Sequence, residues 1–373
     1  MRILYIIPYP SFFSQISNMG GHVAHVIGVV QGLKDLGHRV TVLTEESFEL
    51  LDEIADEVVR VPGRSNSFLA RLFWNFKFTN RAKQFQGKVD FVYMRYSAGF
   101  SPFISRVKQA FPGLPLMLEV NSFLSQRKSF ARHFEGRLME PADHILTVSE
   151  RNRDEMNQLF GSLLKSKILV VTNGVDLNRF PSWENAVTRD WNYPVVLGYT
   201  GIIKEFYGLD VMIRGYELLR SQGANVSFKM VGDGPYRETL QQRYGGVAGL
   251  DFVGPQAFNQ MPEILSEIDV LVNSASVKNA FQSPTKMFEY MASGRPILSA
   301  RTPPCESLLK GGELGALYEI DDANGFSRAA QRILKKRKVY LHKARAARSE
   351  AEKHHSWTAK CQSFLSEIEA EDM

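Results

Sequence analysis

Cysteine is nearly absent: only Cys305 and Cys361 occur in 373 residues. Two distant thiols make no disulfide framework and no zinc set, and they suit a reducing cytoplasm. No apolar run approaches the ~20 residues that a membrane span needs, and no low-complexity tract is present. The first residues, Met1 to Ile7, form an apolar run that breaks at Pro8 without a small-residue cleavage site. They read as a first strand rather than a signal peptide, so a cytoplasmic protein is expected. The three-glycine dinucleotide fingerprint is missing, which counts against a nicotinamide dehydrogenase. No Asp-x-Asp pair falls at a strand end, so neither a metal nor a cofactor is called for. No nucleic-acid recognition motif occurs either.

What is present is the composition of a globular protein, 44% hydrophobic and 23% charged. At this length a single ordinary core is exceeded, and two domains are expected. The net charge of +5 is unevenly spread: residues 60–137 hold fourteen Lys or Arg against Asp90, Glu119 and Glu135. That local surplus exceeds the charge of the whole chain, so the first domain carries a positive field and the rest is slightly acidic.

Short apolar runs alternate with helical stretches along the chain. Strands are expected at 2–7, 39–44, 57–61, 91–93, 116–120, 144–148 and 168–171, with a helix over 21–36. After a polar linker near 178–193, strands are expected at 195–199, 227–231, 251–253, 270–273, 296–300 and 316–318. Helices are expected between them at 208–221, 236–244, 261–268, 283–292 and 325–334, and a long charged helical stretch closes the chain from 335 to 373, with Trp357 as an anchor. This rhythm predicts an α/β protein of two doubly wound parallel sheets, each covered on both faces. The domains are placed at 1–180 and 181–350, with 351–373 as a terminal helix. Such sheets bind ligands outside the carboxyl ends of their strands.

Five constellations carry chemistry. Ser283, Pro284, Thr285, Lys286 and Glu289 occupy a loop that turns into a helix. Free amides at the helix start and Lys286 in its first turn attract phosphate, while Glu289, one turn on, can accept hydrogen bonds from paired ribose hydroxyls. Gly20, Gly21 and His22 stand at the start of the first helix, where glycines either admit a ligand's phosphate or simply shape the loop. Gly201 and Lys204 follow a strand: the lysine either reaches a diphosphate or remains a solvated loop residue. Gly232, Asp233 and Gly234 follow another, and there Asp233 reads as a cap or turn residue. Asn173 and Gly174 form a tight turn at the exit of the first domain, ordered by Asp176, which makes it a hinge candidate. His25, one turn into the first helix, reads as packed rather than catalytic.

In order and spacing these motifs resemble the GT-B glycosyltransferases of retaining family 4, nearly end to end. The matching residues run from Gly20 and Gly21 through Val148 to Glu150, Thr172 to Asp176, Gly201 to Gly208 and Val231 to Pro235, to Ser283 to Pro296. The variant around Lys286 and Glu289 resembles a bacterial branch that assembles surface glycans. The resemblance implies two Rossmann-like domains facing across a cleft, the first taking a glycan or lipid-linked acceptor and the second a UDP- or GDP-sugar. Glu289 would bind the ribose, Lys204 and Lys286 the phosphates, and Gly201 and the amides near Ser283, Pro284 and Thr285 the diphosphate or sugar. Gly20 and Gly21 would close on the phosphates from the first domain, and Gly232, Val253 and Gly254 would flank the base. Residues 335–373 would cross back to the first domain.

Two positions depart from the family pattern. The usual Glu-x7-Glu pair has Phe281 in place of its first member, so Phe281, Gln282, Asn279 or backbone amides would meet the donor hexose. Tyr207 replaces a customary basic residue, and Lys204 is its expected substitute. For the acceptor, His22, Glu119 and Asn121 are the candidates, with a loop ion pair as the other reading of Glu119. Residues 67–88 mix aromatic and basic side chains, as interfacial helices do against an anionic membrane, although core packing explains the aromatics equally well. The rival readings are a GT-B epimerase, which should line its pocket with carboxylates, and an inactive scaffold, for which Phe281 argues.

Overall fold

The computed structural model describes residues 1–8, 21–45, 49–62, 68–96, 102–126, 128–181, 194–280 and 285–371, with side chains for all of these but 21, 22, 68–73 and 369–371. The chain divides into two compact units. The first comprises Met1–Asn18, His25–Asn173 and Trp357–Met373; the second comprises Met19–Ala24 and Gly174–Ser356.

Among the described residues of the first unit, seven parallel strands form one sheet: β1 (Arg2–Ile7), β2 (Arg39–Thr44), β3 (Glu57–Arg60), β4 (Phe91–Arg95), β5 (Leu116–Glu119), β6 (His144–Thr147) and β7 (Ile168–Val170). Their order is β3-β2-β1-β4-β5-β6-β7, so the winding reverses beside β1, as the alternating pattern predicts. In β1 every residue from Ile3 to Ile7 is at most 2% exposed, the mark of a strand covered on both faces.

Helix Gly21–Asp35 packs the first core with Val26, Val30 and Leu33, all fully buried. Its Gly28 and Gly32 lie on one face and admit Trp357: a Cβ on Gly28 would stand 1.9 Å from the indole Nε1. Helix Trp357–Glu371 thereby joins the first core, with the Cys361 thiol directed at the Val29 carbonyl (3.7 Å) and Phe364 stacked 5.6 Å from Tyr93. Trp357 is the anchor expected of it.

The second unit holds a six-stranded parallel sheet among its described residues: β8 (Val195–Thr200), β9 (Val226–Val231), β10 (Leu250–Gly254), β11 (Val270–Asn273), β12 (Ile297–Ala300) and β13 (Ala316–Tyr318). The order β10-β9-β8-β11-β12-β13 reverses between β8 and β11. All six residues of β8 are buried. The closing stretch is not one continuous helix. Helix Arg337–Glu350 loosens into a π turn at Ala351–His355, and Ser356 is extended (φ −68°, ψ 148°) before the last helix begins. The break has a local cause: Ser356 forms a parallel bridge with Val175, whose N–H donates to the His355 carbonyl at 2.8 Å.

No helix of the described residues is long and apolar enough to cross a membrane. Within the aromatic-basic stretch, helix Phe68–Lys83 buries Trp74 (4% exposed) and Phe78 (0%), while Phe76 is exposed. Core packing therefore accounts for those two rings, and the Trp74 indole N–H donates to the Val61 carbonyl at 3.0 Å.

Candidate functional site

The winding of the second sheet reverses between β8 and β11, and the segments leaving those two strands carry the expected lysines and glutamate. Helix Thr285–Ser293 buries Met287, Phe288, Tyr290, Met291 and Ala292. It is pinned to the sheet by Tyr290, whose hydroxyl accepts from the Thr200 N–H (3.0 Å) at the end of β8 and donates to the Val272 carbonyl (3.2 Å) in β11. Burial pushes the Tyr290 hydroxyl well up from its ordinary range, so it stays neutral and keeps its proton to donate.

Lys286 stands in the first turn of that helix. Its Nζ lies 3.6 Å from the centre of the Tyr199 ring, a cation–π contact, and no carboxylate pairs with it among the described residues. Burial lowers its pKa to about 7. Close approach of the ammonium requires Gly201: a Cβ there would be 2.9 Å from Nζ, and the backbone has φ +135°. Gly201 is in turn covered by Gly232 (φ +136°), where a Cβ would stand 1.9 Å from the Gly201 carbonyl oxygen. The Gly232 N–H donates to the Gly254 carbonyl at 2.9 Å. The ends of β8, β9 and β10 thus meet backbone to backbone through Gly201, Gly232 and Gly254. Asp233 accepts from the Gly234 N–H at 2.8 Å, the turn role expected of it, and Val253 is 36% exposed.

Lys204 precedes the turn Glu205–Tyr207 and is half-buried, its Nζ 5.8 Å and 5.9 Å from the Phe206 and Tyr207 rings. Thr285 opens the helix, half-buried. Asn279 caps its own turn, its Oδ1 accepting from the Ser276 N–H at 2.7 Å, so its side chain is already engaged. Gly20, Phe281, Gln282, Ser283 and Pro284 lie outside the described residues, and Gly21 and His22 are described only as the start of helix Gly21–Asp35.

Glu289 follows Lys286 on the same helix. Its side chain is 16% exposed, and Arg179 Nη1 donates to its Oε1 at 3.2 Å. The other oxygen, Oε2, has no partner among the described residues. Burial raises the Glu289 pKa, while the Arg179 guanidinium opposes that rise. Arg179 also lies 3.5 Å above the Phe258 ring and donates to the Phe258 carbonyl. Sequence reasoning passed over Arg179; its place beside Asp176 in the turn signalled only a cap.

In the first unit, Glu119 ends β5 with its side chain fully buried. Tyr93 donates to Oε2 at 2.7 Å; His25 Nε2 lies 2.9 Å from Oε1, which also receives the Asn121 amide, with Arg95 Nε 3.5 Å away. Burial pushes the carboxyl up, but His25 and Arg95 together with the Tyr93 hydrogen bond outweigh it and hold Glu119 well below the usual carboxylate range. Of the two readings of this residue, the geometry matches an internal ion pair, although in a buried network rather than a loop. His25 is packed, as expected: it meets the Trp357 ring edge-on at 4.8 Å, and its Nδ1 is 2.8 Å from Asn173 Oδ1. The Asn173 side chain thus serves the first unit's network, a role that its turn sequence did not disclose.

Both halves of the chain are similar to known proteins. The family model described as Glycosyltransferase Family 4 matches residues 19–179, and that described as Glycosyl transferases group 1 matches residues 194–336. The glycogen synthase of Mycobacterium tuberculosis is 25% identical over 240 residues, 62% of this chain and 56% of that protein. The chain therefore matches little more than half the length of that relative. The phosphatidyl-myo-inositol mannosyltransferase of Mycolicibacterium smegmatis is 24% identical over 343 residues, 90% of this chain and 85% of that one. In fold, the chain is similar to Anabaena Alr3699/HepE in complex with UDP and glucose: the TM-score is 0.73 at 15% identity, over 99% of this chain and 100% of that one.

Proposed function

We propose, from the premise that this chain belongs to the family 4 glycosyltransferases of GT-B fold, that it moves a sugar from a nucleotide diphosphate sugar to a glycan or lipid-linked acceptor. The single observation that carries the donor site is the pair on helix Thr285–Ser293 at the sheet's reversal: an ammonium without a counter-carboxylate at Lys286, and one unengaged carboxylate oxygen at Glu289. A diphosphate supplies the missing anion and a ribose diol the missing donors.

Transfer proceeds with retention and without a metal. The acceptor oxygen bonds to the anomeric carbon on the face from which the diphosphate departs, and the acceptor proton passes to the leaving phosphate oxygen. Lys286, Lys204 and the amides at the helix start stabilise the charge that develops there. The product is a bacterial surface polysaccharide or its lipid-linked precursor, built at the cytoplasmic face of the membrane. The lipid-acting mannosyltransferase among the relatives supports that acceptor class.

A thermal-shift panel of UDP, GDP, CMP and their sugars tests the reading. The correct nucleotide at a hundred times its Kd adds about 2.7 kcal/mol to stability. If none of them raises the melting temperature, the donor site is not where it has been placed.

A further inference from the structure

Glu289 has one described partner, and that partner is unusually well anchored. Arg179 closes the turn Leu177–Arg179, in which Asp176 caps the Asn178 N–H at 3.0 Å. On either side of the turn, Val175 and Phe180 are 2% and 5% exposed and pack in the same core as Met287 and Phe288 of the Glu289 helix. The guanidinium is itself held at three points: on the Phe258 ring, on the Phe258 carbonyl and on Glu289 Oε1. Phe258 opens the short turn Phe258–Gln260, four residues beyond the end of β10.

We propose that Arg179 is a positioning residue of the nucleotide-sugar site: it grips Glu289 by Oε1, turns Oε2 toward the ligand's vicinal diol, and ties that carboxylate to the Phe258 loop beside the base. The inference rests on the reading of Glu289 as the ribose-binding group. Its physical basis is the contest at that carboxyl. A protonated carboxyl keeps a proton on one oxygen and loses acceptor capacity, whereas the ionised form accepts at both oxygens and makes hydrogen bonds about twice as strong. Burial drives Glu289 toward the protonated form, and Arg179 opposes it. Planar and forked, the guanidinium bonds a carboxylate and a carbonyl while stacking on a ring, which a lysine ammonium cannot reproduce. The other charged or titratable groups nearby are engaged or turned elsewhere. Lys286 lies on Tyr199, Tyr290 on Thr200 and Val272, Arg348 on the Ala292 carbonyl and His355 against Phe288, while Glu263 is exposed.

The test is calorimetric binding of UDP and of GDP to the full chain between pH 5.5 and 8, for wild type, Arg179→Met, Arg179→Lys, Glu289→Gln and the double variant Arg179→Met/Glu289→Gln. Arg179→Met should weaken the bound nucleotide by about tenfold or more, the span of a charge-assisted hydrogen bond. It should also move the loss of affinity on acidification to higher pH. Arg179→Lys should restore the pH limb while recovering only part of the affinity. In the Glu289→Gln background, Arg179→Met should add little, because there is no charge left to hold. Wild-type affinity and pH limb in Arg179→Met overturn the proposal, as do effects of the two substitutions that multiply independently. A misfolded Arg179→Met shifts the decision to Arg179→Lys, whose unchanged affinity with wild-type melting would likewise overturn it. Failure of the underlying reading looks different: Glu289→Gln itself then binds nucleotide like wild type.

Discussion

Glu119 in the first unit and Glu289 in the second each lie beside an arginine, but their surroundings differ in kind. Glu119 is fully buried, with Tyr93 on one oxygen and His25, Asn121 and Arg95 around the other. Both oxygens are engaged, and the carboxyl is held well below its usual range. Glu289 has Arg179 on Oε1, nothing described on Oε2, and a pKa that burial raises. The first carboxylate is engaged at both oxygens and the second, among the described residues, at one, which leaves its site unfinished. Buried polar groups are normally satisfied, so spare capacity at a sheet's reversal point supports the proposal that a ligand completes the set there. Glu135 strengthens the contrast, since its two oxygens accept from Tyr96, Leu124 and Ser125 and it too has no capacity to spare.

The largest effect should follow from breaking the network around Glu119. Glu119→Gln removes the anion beside buried His25 and half-buried Arg95, and loss of a buried charge partner costs about 3–5 kcal/mol. Urea unfolding followed by circular dichroism should show that loss, with the first unit melting earlier. A change below about 1 kcal/mol would mean that the network is not what holds these strands. Glu289→Ala should reverse the pattern. Stability should move by less than about 1 kcal/mol, because Arg179 keeps its contacts with Phe258, while each lost hydrogen bond to the charged oxygen removes about 1.5–3 kcal/mol of nucleotide affinity. Comparable losses of stability in the two variants would erase the distinction.

The two carboxylates should also respond to pH with opposite sign. Glu119 is depressed, so the stability it contributes is present above the unfolded value of ~4.3 and disappears as pH falls through its lower folded value. Glu289 is raised, so its contribution is present below ~4.3 and is lost as pH climbs through the folded value. Unfolding free energies at pH 4 and pH 7 should therefore show the deficit of Glu119→Gln growing toward neutrality, and that of Glu289→Gln shrinking. Parallel curves would contradict both assignments.

Much of this was legible in the chain, for physical reasons that can be named. Strands such as β1 and β8 are read easily because burial on both faces demands an unbroken apolar run, and the glycine stretches after β8 and β9 announce backbone that must approach backbone. Lys286 and Glu289 are read together because helical spacing places them one turn apart. Arg179 and Glu289 are separated by 110 positions, and no local period connects them. The network around Glu119 is hidden for the same reason: His25 comes from the first helix, Tyr93 and Arg95 from β4 and Asn173 from the turn after β7, and only the folded sheet gathers them. Residues 67–88 show the converse limit, since a pattern of mixed rings and cations does not disclose which rings face inward. Trp74 and Phe78, four apart, go inside; Phe76 between them does not.

The smallest expected effect concerns the lysine of the unfinished site. Burial lowers the Lys286 pKa to about 7, so in the ligand-free protein the amine is largely neutral above that pH. A folded value below the unfolded ~10.4 means that the stability tied to Lys286 is present above ~10.4 and lost as pH falls through about 7, where the buried amine must charge. Lys286→Met should therefore stabilise the ligand-free chain slightly at pH 6. A diphosphate reverses the preference, because an adjacent anion favours the ammonium. Nucleotide binding at pH 8 should then take up a fraction of a proton, visible as a difference in binding enthalpy between phosphate and Tris buffers. Lys286→Met should abolish that difference. Equal enthalpies in the two buffers for the wild-type chain would place the phosphates away from Lys286, and would leave their charge to Lys204 and the neutral amides at the helix start.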